Sequence, residues 1–91
     1  MIKSKRIYIS GSIHGVFFRQ FTKENAEKLN VRGYMRTLED GRVEIFVEGD
    51  SNALDKLIPI LTQSSRYAQV RDYEIKDEKF QDFKEFKILK F

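Results

Sequence analysis

The chain has 91 residues, 17 basic and 14 acidic, with a net charge of +3, which is the size of one small domain spanning residues 1–91. Hydrophobic residues make up 41% and charged residues 34%, a balance that excludes a disordered chain. There is no cysteine, which excludes disulfides, zinc–thiolate sites and cysteine nucleophiles. No stretch has the apolar length of a membrane span, and the basic start MIKSKRIYIS lacks the apolar core of a secretory signal; a cytoplasmic protein with no membrane association is expected.

Residues 5–13, KRIYISGSI, alternate. Ile7, Ile9 and Ile13 fall on one face and Arg6, Tyr8 and Ser10 on the other, which predicts a half-buried strand. HGVFFR then reads as a turn. Residues 19–30, RQFTKENAEKLN, predict a helix with Phe18, Phe21, Ala26 and Leu29 inward and Lys23, Glu24, Glu27 and Lys28 outward. Glu24 and Lys28 stand at the spacing of an i, i+4 ion pair. Asn30 can end this helix, or Gly33 can mark the entry to the next strand.

Residues 33–48 predict a hairpin about Asp40-Gly41, with Val43, Ile45 and Val47 on one face and Arg42, Glu44, Phe46 and Glu48 on the other. Gly49-Asp50-Ser51-Asn52 supplies turn and N-cap residues for a second helix over about 51–64, with Leu54, Leu57, Ile58 and Leu61 inward. Pro59 inside that pattern predicts a bend or an early break. In residues 67–76, Ala68 and Val70 have one parity and Tyr73 and Ile75 the other, so a bulge between the pairs is expected. DEKFQD reads as a charged loop, and residues 83–91 as a last strand with Phe86 and Ile88 on one face and Leu89 and Phe91 on the other.

The order β-α-β-β-α-β plus a terminal strand predicts an α+β, ferredoxin-like two-layer sandwich: an antiparallel sheet with two helices on one face. That fold hosts many functions, so the chemistry has to come from a site. In a strand-to-helix turn, consecutive backbone N–H groups can converge on an anion, and the helix N-terminus adds partial positive charge. Arg19 opposes that charge unless an anion compensates both, and its planar fork of donors suits phosphate or carboxylate. HGVFFR therefore reads as an anion cradle, beside the simpler reading in which the glycines serve backbone geometry and the aromatics the core.

The same residues resemble the acylphosphatase family, whose first signature is Gly-x-Val-Gln-Gly-Val-x-Phe-or-Tyr-Arg. Gly11, Gly15, Val16, Phe18 and Arg19 match; Ile13 replaces the usual valine and His14 the usual glutamine. The second signature matches at Gly33, Tyr34, Gly41, Val43 and Gly49. The resemblance implies a hydrolase that cleaves acyl phosphates to a carboxylate and inorganic phosphate, without metal or cofactor. It implies that the loop His14, Gly15, Val16, Phe17 and Phe18, together with Arg19, holds the phosphoryl oxygens. Inorganic phosphate or sulfate would then bind the same place, and a monomer is expected. The family orients its water with an asparagine on the second strand; here Thr37 stands at that position, with a shorter arm and fewer donors.

Thr37 keeps a second reading open, a phosphate-binding or regulatory domain without turnover. His14 reads as an exposed turn residue whose backbone matters more than its ring. A third reading, nucleic-acid binding, draws on the basic pI and on Tyr8 and Phe46 as exposed sheet aromatics. Glu44 and Glu48 flanking Phe46 oppose it.

Overall fold

The alternating isoleucines near the N-terminus build a long interior strand. The computed structural model describes residues 1–89, and the described elements are β1 (Ile2–Ile13), α1 (Gly15–Lys28), β2 (Arg32–Thr37), β3 (Val43–Asp50), α2 (Ser51–Thr62), β4 (Ala68–Glu78) and β5 (Phe86–Ile88). The sheet runs in the order β4-β1-β3-β2-β5. All neighbours are antiparallel except β2 and β5. This is the expected α+β, ferredoxin-like arrangement, extended at the β2 edge by a short parallel strand. Ile7 pairs with Ile45 and Ile9 with Val43. Those side chains meet Phe18 and Ala26 of α1 and Leu54, Leu57 and Leu61 of α2 in one core. Among the described residues, no helix is long and apolar enough to cross a membrane.

The parity switch in β4 has the predicted cause. Ser10 pairs with Asp72 and Gly11 with Val70, so Arg71 is the extra residue of a bulge. Gly11 adopts φ +149°, and a Cβ there would press on the Gln69 carbonyl, so the bulged strand approaches as only glycine permits.

Several local expectations change. HGVFFR is not an open turn: α1 begins at Gly15, four residues before the predicted start. Thr22, outside the predicted inner stripe, is buried, while Phe21 and Leu29 are only partly so. The helix ion pair forms between Lys23 and Glu27 (3.7 Å), and Glu24 instead accepts from the Gln20 amide (3.3 Å). Asn30 does end the helix, at φ +57°, where the Val31 N–H donates to the Ala26 carbonyl (2.8 Å) and the Asn30 N–H to Glu27 (3.1 Å). Two orphan carbonyls are thereby satisfied. α2 passes through Pro59 and runs on to Thr62. The N–H that proline lacks would have bonded the carbonyl of Asp55, an exposed residue that water can reach.

The largest correction concerns the sheet face away from the helices. Glu44, Phe46 and Glu48 are buried, not presented to solvent. The segment between β4 and β5 crosses that face, and the Phe83 ring packs on Phe46 (5.2 Å) and edge-on to Tyr34 (5.7 Å). Phe46 is therefore not available to stack on a base. The last strand is shorter than predicted, covering only Phe86–Ile88 of residues 83–91. Leu89 follows it, and Phe91 lies outside the described residues.

Candidate functional site

β1 delivers the chain to the first turn of α1 through His14. The His14 N–H donates to the Tyr67 carbonyl (2.9 Å), and its own carbonyl accepts from the Phe18 N–H (2.8 Å). Its side chain makes no capping bond, and no acidic residue occupies the first turn. Of the five residues expected to supply N–H groups, His14 and Phe18 are thus engaged. The N–H groups of Gly15, Val16 and Phe17 have no partner among the described residues. They are the orphan donors every helix start carries, with the positive end of the helix dipole behind them.

Side chains around this start divide by role. Phe18 points into the core and is 1% exposed, whereas Val16 and Phe17 are 69% and 62% exposed. Gly15 has an ordinary φ, and a Cβ there would meet nothing within 4 Å. Neither strain nor packing within the protein calls for glycine at position 15; what it does is leave space beside the free N–H groups.

Arg19 lies one turn into α1, half-buried, and forms no ion pair among the described residues. It lines a cavity of about 480 Å³ together with Val16, Lys23, Ile88 and two acidic residues, Glu24 and Glu27. Ile88 belongs to β5, which is positioned against α1 by a bond from Lys23 Nζ to the Phe86 carbonyl (3.4 Å). Thr37, half-buried, is the last residue of β2 and pairs with Val43, on the sheet face that carries Met35. Met35 neighbours Ile88 across the parallel pair, and its carbonyl accepts from the Leu89 N–H (2.9 Å). β5 thus touches β2 within the sheet and α1 across the two layers. His14 is exposed, as expected.

The two buried carboxylates with displaced pKa values, Glu44 and Glu48, lie elsewhere, on the opposite sheet face. Burial opposes ionisation of Glu44, but hydrogen bonds from Arg36 (2.6 Å), Tyr34 (2.8 Å) and Arg6 outweigh it and hold its pKa below the ordinary value. Burial likewise opposes ionisation of Glu48, and is outweighed by the Gln81 N–H, the Ser4 hydroxyl and the Phe83 N–H. Neither carboxylate faces the Arg19 cavity. Among the described residues, no three His, Cys, Asp or Glu side chains gather as a metal site would require.

Tyr67 is the residue that no local pattern singles out. It sits in the polar stretch QSSRY, more than fifty positions from His14, and nothing local signals that its carbonyl holds the residue before α1.

The family model that matches this chain is Acylphosphatase, over residues 5–88. An acylphosphatase of Rubrobacter xylanophilus is 43% identical over 76 residues, 84% of this chain and 69% of that protein. One of Alkalilimnicola ehrlichii is 40% identical over 89 residues, covering 98% of this chain and all of that protein. The crystal structure of acylphosphatase from Bacillus subtilis superposes with a TM-score of 0.89 at 31% identity, covering 99% of this chain and 100% of that one.

Proposed function

This chain belongs to the acylphosphatase family, hydrolases acting on acid anhydrides, and we propose that its substrate is an acyl phosphate held by its phosphoryl group at the start of α1. The observation that carries this reading is the run of three unpartnered N–H groups, Gly15 to Phe17, with Arg19 one turn further on. These donors suit the equatorial oxygens of a phosphoryl group, whose transfer needs positioning and charge stabilisation more than covalent help. The Arg19 guanidinium neutralises the charge of the group and can grip two of its oxygens at once. A dianion at this point offsets both the helix dipole and the arginine, which otherwise oppose each other.

Water attacks phosphorus, the bond from phosphorus to the bridging oxygen breaks, and that oxygen leaves with the acyl group as a carboxylate. The water's protons pass to inorganic phosphate and solvent. Because the leaving carboxylate is a weak base, no general acid is needed to protonate it. Thr37 is proposed to hold the water, its hydroxyl accepting one hydrogen bond and donating another. The reaction is carried by one domain, acting as a monomer in the cytoplasm.

Hydrolysis of benzoyl phosphate, followed in the presence of inorganic phosphate as competitor, tests the reading. Arg19→Ala is expected to lose turnover and phosphate inhibition together. Retention of both by this variant overturns the cradle.

A further inference from the structure

Beside the proposed phosphate cradle the structure holds an aromatic pair that the reaction described above does not use. Phe17 gives its N–H to the cradle, yet its ring is 62% exposed. It stacks on Tyr67, with centroids 6.1 Å apart and planes at 22°. Tyr67 in turn meets Phe21 at 5.4 Å, and Phe21 packs on the core. The backbone of Tyr67 is fixed at both ends: its carbonyl accepts from the His14 N–H (2.9 Å), and its N–H donates to Ser65 Oγ (3.2 Å). Tyr67 is thus held half-buried between Phe17 and Phe21, and the exposed ring stacked on it is that of Phe17. These rings border a cleft of about 160 Å³ whose rim carries Gln20 and Glu24.

We infer that Phe17 and Tyr67 form the acyl-group subsite of this enzyme and select a flat, uncharged acyl group. The inference rests on the placing of the phosphoryl group at Gly15–Phe17. In an acyl phosphate one bridging oxygen joins phosphorus to the carbonyl carbon, so the acyl group must sit directly beside the phosphoryl oxygens. At this site the neighbour is the side chain of a residue that donates to those oxygens. A space of about 150 Å³ is enough for a benzene-sized group, and aromatic rings favour stacked or edge-on partners. The Glu24 carboxylate, which accepts from Gln20 (3.3 Å), disfavours an acyl chain ending in a second carboxylate.

The test is the ratio of kcat/KM for benzoyl phosphate to kcat/KM for acetyl phosphate. Both substrates carry the same phosphoryl group, so the ratio cancels what the cradle and Arg19 contribute. The native protein is expected to favour benzoyl phosphate about tenfold. Tyr67→Ala is expected to remove most of that preference through a higher KM for benzoyl phosphate, and Tyr67→Phe to retain it. Phe17→Ala, at an exposed ring that folding does not require, is expected to lower the ratio as well. A ratio near one in the native protein, or one that both alanine variants leave unchanged, overturns the subsite while leaving the cradle standing. If neither substrate is hydrolysed and inorganic phosphate does not bind, the cradle is overturned and the subsite with it.

Discussion

The backbone N–H of Phe83 donates to the buried carboxylate of Glu48 at 2.9 Å. The Gln81 N–H and the Ser4 hydroxyl, each at 2.7 Å, complete the coordination of that carboxylate. One side chain from β3 therefore pins the segment that crosses the sheet and leads into β5. β5 in turn brings Ile88 to the cavity that Arg19 lines.

Glu48→Ala leaves two backbone donors and a hydroxyl without their acceptor under Phe83. It is expected to cost about 3 kcal/mol of stability, read from the urea midpoint. Glu48→Gln keeps the volume and one good acceptor and is expected to lose less. Equal midpoints for Glu48→Ala and the native protein would show that the segment is held by its aromatic contacts alone.

Acid should destabilise the fold through Glu44 and Glu48. Both have folded pKa values below the ordinary glutamate value, because their donors favour the charged form more than burial opposes it. Their contribution is complete above the ordinary range and is lost as pH falls through the lowered folded values, since the unfolded chain then binds more protons. The urea midpoint is expected to change little from pH 7 to about 5 on account of these two groups, and to fall steeply below about pH 4. Glu48→Gln should flatten that acid limb.

Arg19→Lys retains a positive charge but not the planar fork of donors. It is expected to keep some phosphate affinity and to lose about a hundredfold in kcat/KM, between the native protein and Arg19→Ala. A lysine variant as active as the native protein would mean that charge alone is used.

Thr37→Asn restores the longer carboxamide arm at the proposed water position. The expected result is a higher kcat with little change in KM, by about tenfold or more if water positioning limits the reaction. Thr37→Val, which keeps the shape of the side chain and removes its hydroxyl, should lower kcat. Unchanged kcat in Thr37→Val would remove Thr37 from the mechanism.

Gly15→Ala separates stability from binding. The position is helical and its surroundings are open, so alanine is expected to raise stability by about 0.5 kcal/mol. The added methyl occupies the space beside the free N–H groups, so inorganic phosphate should inhibit several-fold less well. A more stable variant with undiminished phosphate inhibition would place the anion elsewhere.

Much of the fold was legible because its signals are local. Alternation in β1, the Asp40-Gly41 turn, the leucine spacing of α2 and the parity switch in β4 each arise from residues within a few positions of one another. The free N–H groups of Gly15, Val16 and Phe17 were legible for the same reason: the physics of a helix start applies to consecutive residues wherever the rest of the chain goes. The start of α1 was misplaced because Gly15 is a weak helix former and His14 caps without a side-chain bond, so no sequence signal marked the boundary.

What the sequence determined by itself is the order of elements, the apolar face of most of them and the stretch of backbone whose N–H groups stay free. Tertiary structure decided which surfaces stay open. Glu44-Phe46-Glu48 reads as a solvent face because alternating charge normally lies outward, yet Arg6, Gln81 and Phe83 reach these residues from 33 to 38 positions away and close over them. The simpler reading of HGVFFR places Phe17 in the core beside Phe18, yet its ring stays at the surface on Tyr67. Both outcomes depend on contacts between distant segments, which exist only once the sheet has formed and brought those segments together.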